Sequence, residues 1–260
     1  FTEPDHGSDI TAMNTTAVRE GDEWVINGTK TFITNGTIGD YVSLLCQTDP
    51  DASPTYRGQS VILVERGTPG FTDADVGEKM GIKMTSTAEL SFNNVRVPAS
   101  NLIGEENRGF YQVLEFFDES RIEIAAQALG IAQGAFDRAL AYTKERKQFG
   151  KKLAQFQATQ HKLADMATKI ETARLMVYKA AWNYDQGRID PKLTSMAKMY
   201  AARTAVEVAD EAIQLHGGYG YMLEYEVERF YRDAKIMEIY EGTREIQKNT
   251  IASSLLGKLK

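Results

Sequence analysis

The run RDAKIMEIYEGTREIQ, residues 232 to 247, places a carboxylate, Glu241, directly before Gly242 and between two stretches of helical composition. Glycine tolerates positive φ, so the backbone can turn sharply there and aim the neighbouring side chain into a cavity. A carboxylate so placed is a candidate general base; an acidic residue near a helix end also serves as a solvated or capping group. Arg121 is the second candidate, because it interrupts an apolar stripe. A guanidinium at an inward position must be paired or must face a polar ligand, since breaking a buried pair costs roughly 3–5 kcal/mol. Asp118 or Glu123 can pair it, and an anionic or carbonyl-rich ligand is the other reading. In ERKQFG (residues 145 to 150) Arg146 and Phe149 suit a phosphate and a flat ring, although a helix C-terminus by itself favours cations. QLHGGYG (residues 214 to 220) is a glycine-rich helix stop without the Lys-Ser/Thr pair of a phosphate loop. His216 reads as a local hydrogen-bonding residue. His6 and His161 lack a second ligand at metal spacing, so no metal site is expected.

Two further stretches carry polar chemistry near the start of the chain. TEPDHGSD (residues 2 to 9) gathers hydroxyl-bearing and small residues around Pro4 and Gly7, as an ordinary turn does, and as a loop does whose N–H and O–H groups approach a polar ligand. Phe32 and Thr34 alternate about Ile33 at a strand end, which sets a ring and a hydroxyl on one face. That face suits a planar ligand, and Phe32 equally reads as core. Cys46, the single cysteine, lies in an apolar run and reads as a buried thiol in a reducing compartment.

These residues are carried by two kinds of element. Up to about Asn107 the chain alternates with period two in short runs separated by turn residues: EWVIN, KTFIT, YVSLLC, SVILVE and AELSFNNVRV. The spacing predicts an antiparallel β domain over residues 1–107, with residues 49–59 as a long surface loop. Beyond Arg108 the period becomes helical. Leu114, Phe117, Ile124, Ala128, Ile131 and Ala135 form one stripe with Arg121 in the series. A second stripe runs from Leu163 through Met166, Ile170, Ala173, Val177 and Ala180 to Tyr184. A third takes in Ala201, Ala205, Val208, Ala212 and Leu215. Residues 108–260 are therefore expected to form an antiparallel helical bundle, with Met166, Met176, Met196 and Met199 as core filling. The fold class expected is α+β, a β domain followed by a bundle.

Thirty basic against 36 acidic residues give a formal charge of -6, so nothing in the balance favours nucleic acid or an anionic membrane. No stretch is long and apolar enough to insert in a bilayer, and no secretory signal is visible. The expected location is cytoplasmic, or the mitochondrial matrix in a eukaryote. The chain opens on Phe1 inside a motif, which carries the expectation that the natural protein extends upstream.

TEPDHGSD, KTFITNG, ERKQFG, QLHGGYG followed by Glu224, Arg229 and Asp233, and YEGTREIQ together resemble the acyl-CoA dehydrogenase family, in order and spacing, over the whole chain. The resemblance implies the middle β domain and C-terminal bundle of that family, without its N-terminal helical domain, and FAD as cofactor. Thr2, Ser8, Phe32 and Thr34 match positions that contact the isoalloxazine and its phosphates, Phe32 replacing a common Trp. His6 departs, standing where a small residue is usual. Arg146, Phe149, Gln214, Gly217 and Gly218 match positions that bind the FAD of a neighbouring subunit, which implies a homotetramer built as a dimer of dimers. Thr243 and Glu245 match adenosine-side contacts, Glu245 standing where Gln is frequent. Asp118, Ser120, Arg121 and Gly242 match the CoA-contacting set, to which Ser8 and Tyr240 are added.

By the same resemblance Glu241 is the base. An acyl thioester has a weakly acidic α-proton, so a positioned carboxylate must remove it while donors stabilise enolate charge on the carbonyl oxygen. Some relatives carry the base just before the arginine of the first long helix, and here that position is Ser120, which cannot serve. The implied electron acceptor is an electron-transfer flavoprotein. An oxidase that passes electrons to oxygen keeps the same fold and stays open, as does a non-catalytic helical module.

Overall fold

The structure is a computed structural model in which residues 1–257 are described, and it divides into two compact units. One comprises Phe1–Lys79 and Lys83–Glu115; the other comprises Met80–Ile82 and the chain from Phe116 onward.

The first unit is a seven-stranded sheet of β1 (Thr16–Glu20), β2 (Glu23–Thr34), β3 (Tyr41–Gln47), β4 (Gln59–Glu65), β5 (Phe71–Asp75), β6 (Thr87–Pro98) and β7 (Leu102–Ile103), in the order β5-β6-β2-β1-β3-β4-β7. Every pairing is antiparallel except β1 with β3, which is parallel through Thr16 and Gln47, so the sheet is mostly antiparallel, as expected. Trp24 and Ile26, Leu44 and Cys46, Ile62 and Val64, and Leu90 and Phe92 pack into one core, the pairs two residues apart sharing a sheet face as the pleat demands. EWVIN and KTFIT form a single strand: Gly28 does not end it but sits at φ 148 beside a register shift, where a Cβ would meet Thr15 Oγ1 at 2.5 Å. β1 and β5 escape the sequence reading because TAVRE and FTDAD are largely exposed and polar.

The N-terminal loop is fixed by a buried ion pair. Glu3 receives Lys30 Nζ at 2.8 Å, the Thr15 amide at 2.9 Å and the Asn14 amide at 2.6 Å. Burial alone would raise its carboxyl, but the hydrogen bonds from Lys30, Thr15 and Asn14 and the charge of Lys30 hold it down at about 2. Burial pushes the Cys46 thiol up to about 12, in keeping with an inert core cysteine.

The helices are α1 (Gly109–Glu145), α2 (Gln157–Asp185), α3 (Pro191–His216), α4 (Val227–Ile236) and α5 (Arg244–Leu256), with a small hairpin of β8 (Lys147–Gln148) and β9 (Lys151–Lys152) after α1. The first residues of α1 group with the sheet unit, where Gly109 lies against Ser60 and Leu45. On α2 the buried face is Met166, Ile170, Ala173, Val177 and Ala180, the expected stripe. α3 packs on α2, α4 and α5 and is capped by Asp190, whose carboxylate accepts from the amides of Lys192 and Leu193. On α1 the buried face is Ile122, Ala125, Ala128, Leu129, Ala132, Ala135 and Ala139, so the expected stripe is rotated: Leu114 is exposed, and Ile124 and Ile131 only flank the core. Alanine dominates that face: Ala125, Ala132 and Ala139 join the expected Ala128 and Ala135. Met166 is core and Met176 packs on it, whereas Met196 and Met199 are half-buried and do not fill the core. Among the described residues no helix is long and apolar enough to cross a membrane.

Candidate active site

Between α4 and α5 the chain makes a turn whose backbone is unusual at two successive residues. Glu241 stands at φ 53 and Gly242 at φ 88. Glycine takes such a φ freely, but a side-chain-bearing residue in the left-handed region costs roughly 1–2 kcal/mol. Such a conformation persists only where the surroundings over-determine it. Here three consecutive carbonyls are held by two buried side chains: Lys198 Nζ donates to Tyr240 O at 2.6 Å and Gly242 O at 2.7 Å, and Gln247 Nε2 donates to Glu241 O at 2.9 Å and Gly242 O at 3.0 Å. Thr243 then caps α5 by accepting from the Ile246 amide.

The half-buried carboxylate of Glu241 meets α1. Ser120 Oγ donates to Glu241 Oε2 at 2.7 Å, which leaves Oε1 as the oxygen suited to take a proton. Next to Ser120, Arg121 is buried; its Nη1 reaches Asp118 Oδ1 at 3.3 Å, and its Nε has no hydrogen-bond partner among the described residues. Burial lowers the Arg121 pKa, opposed by the charges of Asp118 and Glu241. The Tyr240 phenol is raised by burial and by Glu241, and its hydroxyl donates to Gln127 Oε1 at 2.7 Å. The structure thus brings Asp118, Ser120, Arg121, Tyr240, Glu241 and Gly242 into one cluster, with Asp118 and not Glu123 paired to Arg121. Chemically it offers a carboxylate held by one hydroxyl donor beside a guanidinium with unused donors.

Lys198 and Gln247, both fully buried, are the residues the sequence reading missed. The signal was present for Lys198: it continues the α3 stripe of Ala201, Ala205, Val208 and Ala212 at steps of three and four, a charge in an apolar series like Arg121.

At the other end of α3 the helix stops at Gly217, φ 63. A cleft of about 480 Å³ opens there, lined by Tyr142, Arg146, Gln214, Gly217 and Gly218 among others. The Arg146 guanidinium lies 5.3 Å over Tyr219, and Phe149 is 93% exposed on the hairpin. His216 is the expected local bonder, Nδ1 lying 2.7 Å from Ala212 O and the ring stacking 4.2 Å from Tyr142. Glu245 is exposed in the first turn of α5. In the sheet unit Phe32 is exposed at φ 56, and Thr34 and Ser8 are exposed, while Thr2 is half-buried with its carbonyl accepting from the Thr31 amide. Ile33, between Phe32 and Thr34, packs on the core, and Phe32 lies in a register shift between Lys30 and Ile33 that interrupts the regular alternation of the strand. Among the described residues no cluster of His, Cys, Asp and Glu is arranged to hold a metal ion.

The chain matches the family descriptions "Acyl-CoA dehydrogenase, middle domain" over residues 1–95 and "Acyl-CoA dehydrogenase, C-terminal domain" over residues 107–256. It is 47% identical to the cyclohexane-1-carbonyl-CoA dehydrogenase of Geobacter metallireducens, with 98% of this chain and 66% of that protein covered. It is 48% identical to the short-chain specific acyl-CoA dehydrogenase of Clostridium acetobutylicum, covering 98% and 67%. Among solved structures, butyryl-CoA dehydrogenase from Megasphaera elsdenii superposes with a TM-score of 0.95 at 45% identity, over 98% of this chain and 66% of that one. A structure described as the electron transferring flavoprotein of Acidaminococcus fermentans gives a TM-score of 0.96 at 45% identity, over 99% and 67%. The chain spans about two thirds of the length of the relatives it matches. With both of its units matched by one family and its carboxylate turn, arginine-bearing helix and glycine helix stop all in place, the chain belongs to the acyl-CoA dehydrogenase family.

Proposed function

We propose that this chain carries the catalytic carboxylate and cofactor contacts of an enzyme that removes hydrogen across the α and β carbons of an acyl-CoA thioester. The observation that supports it most is Glu241, held on a left-handed turn with one carboxylate oxygen on Ser120. The base role of Glu241 follows from what the reaction needs. The α-proton of a thioester is weakly acidic, and its removal requires a carboxylate that does not rotate away or lose itself in solvent. Ser120 fixes Glu241 Oε2, the carbonyl clamp beneath fixes the backbone, and Oε1 takes the proton. Ser120, at the alternative base position of the family, has no acid–base capacity at neutral pH and works here as the donor. The unused guanidinium donors of Arg121 suit an anionic or carbonyl-rich part of acyl-CoA, with Asp118, Tyr240 and Gly242 around it.

FAD is the cofactor of this family. When bound it supplies the acceptor for the hydride from the β carbon. The residues present fit it. Phe32 and Thr34 are both exposed at the end of β2, with Thr2 and Ser8 in the same unit. In the other unit, the positions where Gly217 and Gly218 would carry a Cβ have no atom within 4 Å, so a flat anionic group can approach the backbone next to the cation of Arg146. Phe149, Gln214, Thr243 and Glu245 extend these contacts, although the Thr243 hydroxyl is already engaged as a helix cap. Contacts at Arg146 and Gln214–Gly218 belong to a neighbouring subunit in this reading, within a homotetramer made as a dimer of dimers. An electron-transfer flavoprotein is the proposed acceptor, and the bacterial relatives support a cytoplasmic setting.

The test is anaerobic titration of the FAD-loaded protein with a panel of straight, branched and cyclic acyl-CoAs. At least one should bleach the flavin absorbance. A protein that binds no flavin, or whose flavin no acyl-CoA bleaches, would overturn the proposal.

A further inference from the structure

Lys198 presents a problem in plain packing terms. It occupies the buried face of α3, in series with Ala201 and Ala205, and is 1% exposed. Removing an ammonium from water is expensive, and helix packing by itself does not call for a charge at that position. Its ammonium donates not to carboxylates, as a structural ion pair would require, but to the carbonyls of Tyr240 and Gly242, which flank Glu241. Gln247 Nε2 holds the carbonyl between them together with that of Gly242. The Tyr240 and Gly242 carbonyls therefore converge on one ammonium, and a compact cation is the group that such a pair holds best. The alternative for the turn is to relax Glu241 out of φ 53, which swings its side chain away from Ser120.

Resting on the reading of Glu241 as the base, we infer that Lys198 is a positioning residue: its ammonium clamps the Tyr240 and Gly242 carbonyls and so holds Glu241 in the left-handed turn from which its carboxylate meets Ser120. Charge acts in the same direction. Burial brings the Lys198 ammonium down to about 8, with Glu241 and Glu238 opposing and Arg121 adding to the fall. The Glu241 charge thus favours the ammonium form of Lys198.

The experiment reads proton removal apart from hydride transfer. Acetyl-CoA has α-protons but no β carbon, so exchange of its methyl hydrogens with D2O in the FAD-loaded protein reports the base alone. Flavin reduction by butyryl-CoA gives a limiting rate and an apparent Kd. Lys198→Met is expected to slow both exchange and limiting reduction at least tenfold, because a misplacement of about 1 Å costs on the order of a hundredfold. The butyryl-CoA Kd is expected to stay within about threefold, since bulk binding is left intact. Lys198→Arg should restore part of the loss. In a Glu241→Gln background, Lys198→Met should add nothing. If Glu241→Gln abolishes exchange while Lys198→Met exchanges within about twofold of the parent, this inference falls and the base assignment stands. If Glu241→Gln itself exchanges normally, the base assignment falls. Should Lys198→Met not fold, Lys198→Gln, which keeps two N–H donors without charge, carries the same comparison, and a failure of both to fold would also overturn the inference by making Lys198 a residue of the bundle itself.

Discussion

Arg121 and Lys198 are both cations set into apolar helix faces, yet they do different work. Arg121 has one weak partner in Asp118 and an Nε without a partner among the described residues, so much of its donor capacity is directed at something the chain does not supply. Lys198 spends its donors on the chain's own carbonyls. Arg121→Ala should therefore weaken acyl-CoA binding more than folding. The expected rise in Kd is roughly tenfold or more, the loss of a charge-assisted hydrogen bond at about 1.5–3 kcal/mol, measured by titration alongside a thermal melt. A collapse of thermal stability with unchanged affinity in the folded fraction would instead make the Asp118 pair structural. Arg121 was legible in the sequence because one charge broke a stripe of apolar residues. Lys198 broke its own stripe as plainly, but its partners are main-chain carbonyls some forty residues away, and no side-chain pattern encodes those.

The elements show the same division between what pattern carries and what packing decides. The buried faces of α2 and α3 follow from spacing alone, whereas the α1 face takes in Ile122, Ala125, Leu129, Ala132 and Ala139 beside the expected Ala128 and Ala135. In the sheet, Gly28 reads as a strand end by composition but is a point of close approach to Thr15 within one long strand. The Glu3–Lys30 pair, which ties the opening loop to β2, joins residues with no periodic relation and leaves no signature in the sequence. Its loss should be large: Glu3→Gln leaves Lys30 buried without its counter-charge, a change that costs about 3–5 kcal/mol and shows as a lowered denaturant midpoint. The pH dependence has a definite sign. Because the folded carboxyl of Glu3 is held at about 2, below its ordinary 4.5, its stabilising contribution is present above about 4.5 and is lost as the pH falls toward 2. Unfolding free energy measured across that window should fall more steeply for the parent than for Glu3→Gln; equal slopes would show that Glu3 is not held ionised.

For the molecule as a whole, assembly and cofactor are coupled in the proposed reading. Arg146 and the Gly217–Gly218 stop lie at exposed helix ends and line a cleft that their own chain leaves open. If FAD bridges subunits there, it stabilises the assembled state by RT ln(1 + [L]/Kd), about 2.7 kcal/mol at a hundredfold excess over Kd. Arg146→Ala should lower FAD occupancy and oligomer mass together, and added FAD should partly restore both in light scattering. A mass that never responds to FAD would leave Arg146 as a helix-end cation over Tyr219. The family was legible because five separated motifs stand in order along the chain. The acyl group was not, because the walls of a substrate pocket are set by side-chain packing among elements distant in sequence.

The central claim is that Glu241 removes the α-proton, and Glu241→Gln tests it most directly, since the amide keeps the size and the Ser120 contact but cannot take a proton. The measurement is the limiting rate of flavin bleaching by a substrate acyl-CoA, with FAD content checked by absorbance. The expected result is full FAD occupancy and a rate lower by at least the ~10²- to 10⁴-fold typical of a lost general base. A variant that bleaches within a few-fold of the parent rate would contradict the claim.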